Sequence, residues 1–103
     1  MGFKFDDSYT LDFSDTKIDG LVIKVKALPL GDYLKLVGTL AFTDWAEMLA
    51  QYLIDWNLDD SKGKPVAKTL KGITDNVGPA VLATIVQRWI ETAKGESAPL
   101  EVA

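Results

Sequence analysis

From Tyr9 to Phe13 apolar and polar positions alternate, with Tyr9, Leu11 and Phe13 on one side and Thr10 and Asp12 on the other. A period of two belongs to a half-buried strand. The pattern returns over Leu21 to Leu28, where Leu21, Ile23, Val25 and Ala27 oppose Val22, Lys24 and Lys26. Phe3 and Phe5 alternate with Gly2 and Lys4 in the same way. Turn-forming clusters separate these runs: Asp6-Asp7-Ser8, Ser14-Asp15-Thr16-Lys17 and Asp19-Gly20. The expectation for residues 1–28 is an antiparallel hairpin or small meander with one wet face. Such a sheet is marginal alone and needs a helix on its apolar side.

After Pro29 the period lengthens. Leu30, Tyr33, Leu34, Val37 and Leu40-Ala41 recur at spacings of three and four, which predicts a helix starting near Gly31-Asp32 and weakened or ended by Gly38. Asp32 in its first turn suits the positive end of the helix dipole. Thr43 is the expected N-cap of a second helix, although the capping box is incomplete because Ala46 occupies the position three residues on. Trp45, Leu49, Tyr52-Leu53 and Trp56 then fall on one face, as core packing or as a surface for a partner helix. A polar turn follows at residues 57–68, closed by Gly63 and Pro65. Thr69 is placed to cap a short turn through Ile73. Gly78-Pro79 opens a last helix whose stripe is Leu82, Ile85-Val86, Trp89-Ile90 and Ala93, with Gly95 as its stop. Residues 96–103 read as a tail. The fold class expected is α+β: one domain, residues 1–103, with a small N-terminal antiparallel hairpin or meander followed by three to four helices, predominantly helical.

Composition narrows the chemistry. The 103 residues include neither cysteine nor histidine, which removes thiolate and imidazole catalysis, disulfides and the usual zinc ligands. A chain of this length buries about 65% of its unfolded surface and needs no metal to fold. The net charge of −4 disfavours binding nucleic acid over a broad surface. No apolar run approaches the span of a bilayer, and the start Met1-Gly2-Phe3-Lys4-Phe5-Asp6 carries neither a signal-peptide core nor the hydroxyl residue of a myristoylation site. A cytosolic protein is the expectation.

Asp55, Asn57 and Asp59 begin with the spacing of a calcium loop, but Asp60 stands where glycine belongs and Val66 where glutamate belongs. Gly63-Lys64 runs into Pro65 and makes no phosphate loop. Asp55, Asp59 and Asp60 could hold Mg²⁺ as an all-carboxylate site, or serve only as turn formers. Lys62, Lys64, Lys68 and Lys71 make the segment locally basic, as a solvated loop or a patch for an acidic partner. No cofactor, metal site or catalytic group is expected, and the chain is not expected to be an enzyme.

The order of these elements resembles the small tail assembly chaperones of long-tailed, siphovirus-like bacteriophages and prophages of actinobacterial hosts. The resemblance rests on Leu28-Pro29-Leu30-Gly31-Asp32-Tyr33-Leu34, then Trp56-Asn57-Leu58-Asp59-Asp60, then Gly63-Lys64-Pro65-Val66 with Thr69 and Gly72, and finally Ile85, Trp89 and Ala98-Pro99-Leu100. The most specific part is Trp56 to Val66. Ala67 departs from the second proline typical there, and Lys68 and Lys71 from a more acidic loop. The resemblance implies a non-enzymatic protein of the host cytoplasm. It would bind the tape-measure protein, keep it soluble, promote polymerisation of the tail-tube protein around it, self-associate, and be absent from the mature virion. The alternative of the same size is a structural tail or tail-completion protein retained in the particle. Residues assigned to partner contact are Trp45, Leu49, Tyr52, Trp56, Asn57, Leu58, Asp59, Asp60 and Trp89, with the aromatic ones as anchors if they reach the surface.

Overall fold

The computed structural model describes residues 7–95. Strands β1 (Ser8–Asp12) and β2 (Val22–Lys26) are followed by helices α1 (Leu30–Gly38) and α2 (Phe42–Tyr52), strand β3 (Leu53–Trp56), and helices α3 (Leu70–Asn76) and α4 (Pro79–Lys94). The Phe3/Phe5 alternation and the tail lie outside the described residues. The sheet is antiparallel throughout in the order β1-β2-β3. The fold is α+β, a small sheet with helices packed against it.

The strand alternation sets the inner face. Leu11 pairs with Ile23 and Tyr9 with Val25, and Leu11, Phe13, Ile23 and Val25 are fully enclosed. Thr10, Lys24 and Lys26 face outward, so the strand lysines keep the other face wet. The stripe of α4 closes over this inner face: Leu82, Ile85, Val86 and Trp89 join Leu11, Phe13, Ile23, Val25, Leu36, Leu49 and Ile73 in one core. Among the described residues no polar or charged residue is buried in that core.

Helix ends follow local chemistry. Thr69 Oγ1 accepts the amide of Gly72 at 3.1 Å, as its capping role requires. Pro79 sits in the first turn of α4, and Gly95 ends that helix at φ 82°, a left-handed conformation that glycine adopts without steric cost. Gly72 has a different reason to be glycine, since an added Cβ would lie 2.1 Å from the carbonyl oxygen of Ala67.

Two expectations are corrected. The helix carrying Trp45 does not extend to Trp56; it stops at Tyr52 and the chain becomes β3. The region 29–95 is therefore not wholly helical, and one sheet strand lies outside residues 1–28. The reason is tertiary. The edge of β2 has backbone groups to satisfy, and β3 supplies partners through Ile23↔Trp56, Lys24↔Asp55 and Val25↔Leu53. The register shifts between Lys24 and Val25, so Ile54 bulges out and stays 38% exposed. The second correction concerns Thr43, which lies inside α2. The N-cap is Ala41, and Thr39 organises the start by accepting the Ala41 amide at 3.3 Å and donating to Asp44 Oδ2 at 3.1 Å.

Candidate functional site: an apolar groove and an exposed helix face

The segment with the most specific sequence signal is a closed hairpin. Trp56 Nε1 donates to the Val66 carbonyl at 3.0 Å, and the Val66 amide donates to Leu58 O at 3.0 Å. Inside that clamp Asp59 bridges to Pro65. The Asp60 amide donates to Lys64 O at 2.7 Å, and Gly63, at φ 81°, returns its amide to Asp60 O at 3.0 Å. Asp60 Oδ1 accepts the amides of Lys62 and Lys64 at 2.8 and 3.0 Å. Asn57 ties the hairpin to the sheet, with Oδ1 accepting from Val22 N at 2.8 Å and Nδ2 donating to Gly20 O at 2.9 Å. The polar side chains of Asn57 and Asp60 are thus occupied in holding their own backbone.

The carboxylates do not converge. Asp55 lies 3.8 Å from Lys68 across an exposed pair, and Asp60 is committed to the loop amides. Among the described residues no group of three or more histidine, cysteine or acidic side chains is placed to hold a metal ion. No helix among them is long and apolar enough to cross a membrane.

The other residues assigned to partner contact divide by exposure. Leu49 and Trp89 are fully enclosed, so neither presents surface to another chain. Trp45 is half-buried; its Nε1 donates to Leu36 O at 3.4 Å, and its ring meets Phe42 edge-on at 5.4 Å. Tyr52 is half-buried against Trp89 at 6.0 Å, and its hydroxyl donates to the Asp32 carboxylate. That bond, helped by burial and by the carboxylate charge, pushes the phenol up to about 12. Leu58 is half-buried and Asp59 is exposed on the hairpin.

The free apolar surface lies elsewhere. On α1, Leu30, Leu34 and Val37 are exposed at 71, 55 and 40%, and Leu40 just beyond at 85%. The helix instead buries Leu36 and packs Tyr33 against the core. A second feature is a groove of about 280 Å³ between α2, α3 and the start of α4. Its walls are Phe42, Thr43 and Ala46, then Leu70, Ile73, Thr74 and Val77, then Pro79 and Leu82, with no charged residue among the described residues of the lining. Phe42 and Leu70 stand at its rim, 48 and 40% exposed. The sequence signal for α1 was present: apolar residues at 30, 33, 34, 36, 37 and 40 cover more of a helix than one inward face requires.

A mostly apolar groove of this size accepts one or two large aliphatic or aromatic side chains, with Thr43 and Thr74 the polar residues of its lining. No protein-family model matches the chain, and no curated protein or solved structure matches it.

Proposed function

We propose that this protein is a tail assembly chaperone of a long-tailed bacteriophage or prophage. In this reading it holds apolar helical stretches of the tape-measure protein in solution in the host cytoplasm until tail-tube subunits polymerise around them, and it then leaves the particle. The observation that supports the reading best is the uncharged groove between α2 and α3–α4, with Phe42 and Leu70 exposed at its rim. A groove between helices takes an amphipathic helix by its apolar anchors, and the few anchors buried at the centre of such a contact contribute most of its binding energy. The protein's net charge of −4 keeps a crowded complex in solution. The resemblance in the Trp56–Val66 segment adds the class of partner.

Co-expression with the tape-measure protein encoded beside it tests the proposal. The expected result is a soluble complex that co-purifies, and its loss on Phe42→Glu combined with Leu70→Glu. A tape-measure protein that is equally soluble alone, or that is never captured, overturns it. Mass spectrometry of purified particles should find the chain missing.

A further inference from the structure

We propose that Asp19 is a site of spontaneous backbone isomerisation, where the chain reroutes through the aspartate side chain and loses the latch that Asn57 makes to this turn. The turn is not part of the groove above, so the inference stands or falls separately from the chaperone reading.

Asp19-Gly20 is the only aspartate–glycine pair in the sequence, and no asparagine precedes glycine. The following residue matters because its amide nitrogen is the nucleophile, and any side chain on it crowds the approach to the aspartate Cγ. Both residues are exposed. Gly20 has φ 99°, and an added Cβ there would meet nothing within 4 Å among the described residues. The turn runs from Ile18 to Leu21 and is closed by the Leu21 amide donating to Ile18 O at 3.1 Å. Its central peptide is the one joining Asp19 to Gly20. Among the described residues neither the N–H nor the C=O of that peptide makes a hydrogen bond. Such a peptide flips between type II and type I turns while the closing bond stays made. The flip turns the Asp19 Cα–C bond and swings the Gly20 nitrogen toward Cγ.

Other aspartates lack this combination. Asp12 and Asp60 accept amides of their own turns, and Asp15 binds Arg88 at 2.5 Å. Asp59 has no such partner among the described residues, but the amide that would attack it, that of Asp60, is committed to Lys64 O at 2.7 Å. Asp7 precedes Ser8, which carries a side chain and begins β1. Asp19 alone among the described residues joins an unbonded carboxylate to an unbonded following amide on a glycine.

The step needs only water. The Gly20 nitrogen bonds to Asp19 Cγ, and the amide proton leaves with the carboxyl hydroxyl as water, closing a succinimide ring. Water then opens the ring at either carbonyl. Opening at Cγ restores aspartate. Opening at the main-chain carbonyl leaves Gly20 attached through Cγ, with one more methylene in the backbone. That methylene falls inside the turn that Asn57 grips, where Nδ2 donates to Gly20 O at 2.9 Å and Oδ1 accepts from Val22 N at 2.8 Å. Lengthening the chain just before Gly20 displaces its carbonyl from Nδ2 and loosens the tie between the sheet and the Trp56–Val66 hairpin.

Peptide mapping of the intact protein after storage in mildly acidic buffer tests this, since protonation lets the carboxyl oxygen leave as water. An isoaspartate-specific methyltransferase reads the product, and hydroxylamine traps the succinimide. The expected result is isoaspartate at Asp19 ahead of every other aspartate in the folded protein. Asp19→Glu should abolish it without lowering the melting temperature, because the longer side chain closes its ring far more slowly. A parallel sample in urea gives the behaviour of the unfolded chain. Absence of isoaspartate at Asp19 in the folded protein overturns the proposal, whether or not urea reveals it. So does faster isomerisation at Asp7 or Asp60 than at Asp19. The isoaspartyl form, separated by ion exchange, should melt about 5 °C lower and exchange the Val22 amide faster. If it matches the parent in both, no latch has been lost and that part of the proposal is wrong.

Discussion

The Tyr52 hydroxyl donates to the Asp32 carboxylate and joins the last residue of α2 to the first turn of α1. The bond links the two helices at the point where the chain turns into β3. It raises the phenol from its ordinary 10.0 to about 12, which fixes the sign of its pH dependence. The protonated phenol is favoured in the folded state, so its stabilisation is complete below pH 10 and is lost as pH rises through 12. Titration of tyrosinate absorbance should show one late-ionising tyrosine that disappears in Tyr52→Phe. The pair is partly solvated, so Tyr52→Phe should cost about 1 kcal/mol at neutral pH in urea denaturation.

Trp89 has no exposed surface, and among the described residues its indole Nε1 has no hydrogen-bond partner. Leaving a buried donor unmade costs about 1–3 kcal/mol. Trp89→Phe removes that donor while keeping most of the ring, so the lost volume and the relieved N–H should offset each other to within about 1 kcal/mol. Trp89→Ala opens a cavity with no such compensation and should cost about 3–5 kcal/mol. Urea denaturation of both variants checks the contrast.

Gly72 and Gly38 should respond in opposite directions to alanine. At Gly72 the new methyl would sit 2.1 Å from the Ala67 carbonyl oxygen, a backbone atom that cannot swing aside. A loss of about 2 kcal/mol is expected, with α3 pushed away from the hairpin. At Gly38 the methyl meets nothing among the described residues, and alanine should raise stability by about 0.5 kcal/mol through helix propensity. Thermal melts at low protein concentration separate the two.

The Trp56 indole holds the far end of the hairpin through the Val66 carbonyl, while Asp60 holds its tip. Trp56→Phe should cost about 1 kcal/mol and speed amide exchange at Val66. Asp60→Ala should cost a similar amount but speed exchange chiefly at Lys62 and Lys64. If both variants loosen the same amides equally, the hairpin opens as one unit and has no separate clamp and tip.

Much of the scaffold was legible because its signals were local. The alternation of Leu11 and Phe13 with Asp12, and of Ile23 and Val25 with Lys24, marks both strands and their inner faces. Thr69, Gly78-Pro79 and Gly95 punctuate the last two helices where the caps indeed fall. Strand β3 was not legible in the same way. Tyr52, Leu53 and Trp56 continue the helical spacing set by Trp45 and Leu49, and only the edge of β2, some thirty residues earlier, draws Leu53–Trp56 into extended backbone. The surface was harder still. Trp89 and Leu49 have the chemistry of partner anchors, yet the core encloses them. Leu30, Leu34 and Val37 share the spacing of core residues, yet Tyr33 and Leu36 are the ones turned inward. Period locates a helix; which of two apolar faces goes inside depends on what the rest of the chain presents to it.

Because β3 follows two helices in the chain, the sheet is completed only after Trp56 has been synthesised. Until then the side of β2 that β3 will take is open, and any truncation near Tyr52 leaves that side unsealed and prone to pairing with strangers. Premature termination anywhere before α4 should therefore yield inclusion bodies, since a chain cut after Val66 has its third strand but still lacks Leu82, Ile85, Val86 and Trp89 over the sheet's apolar face.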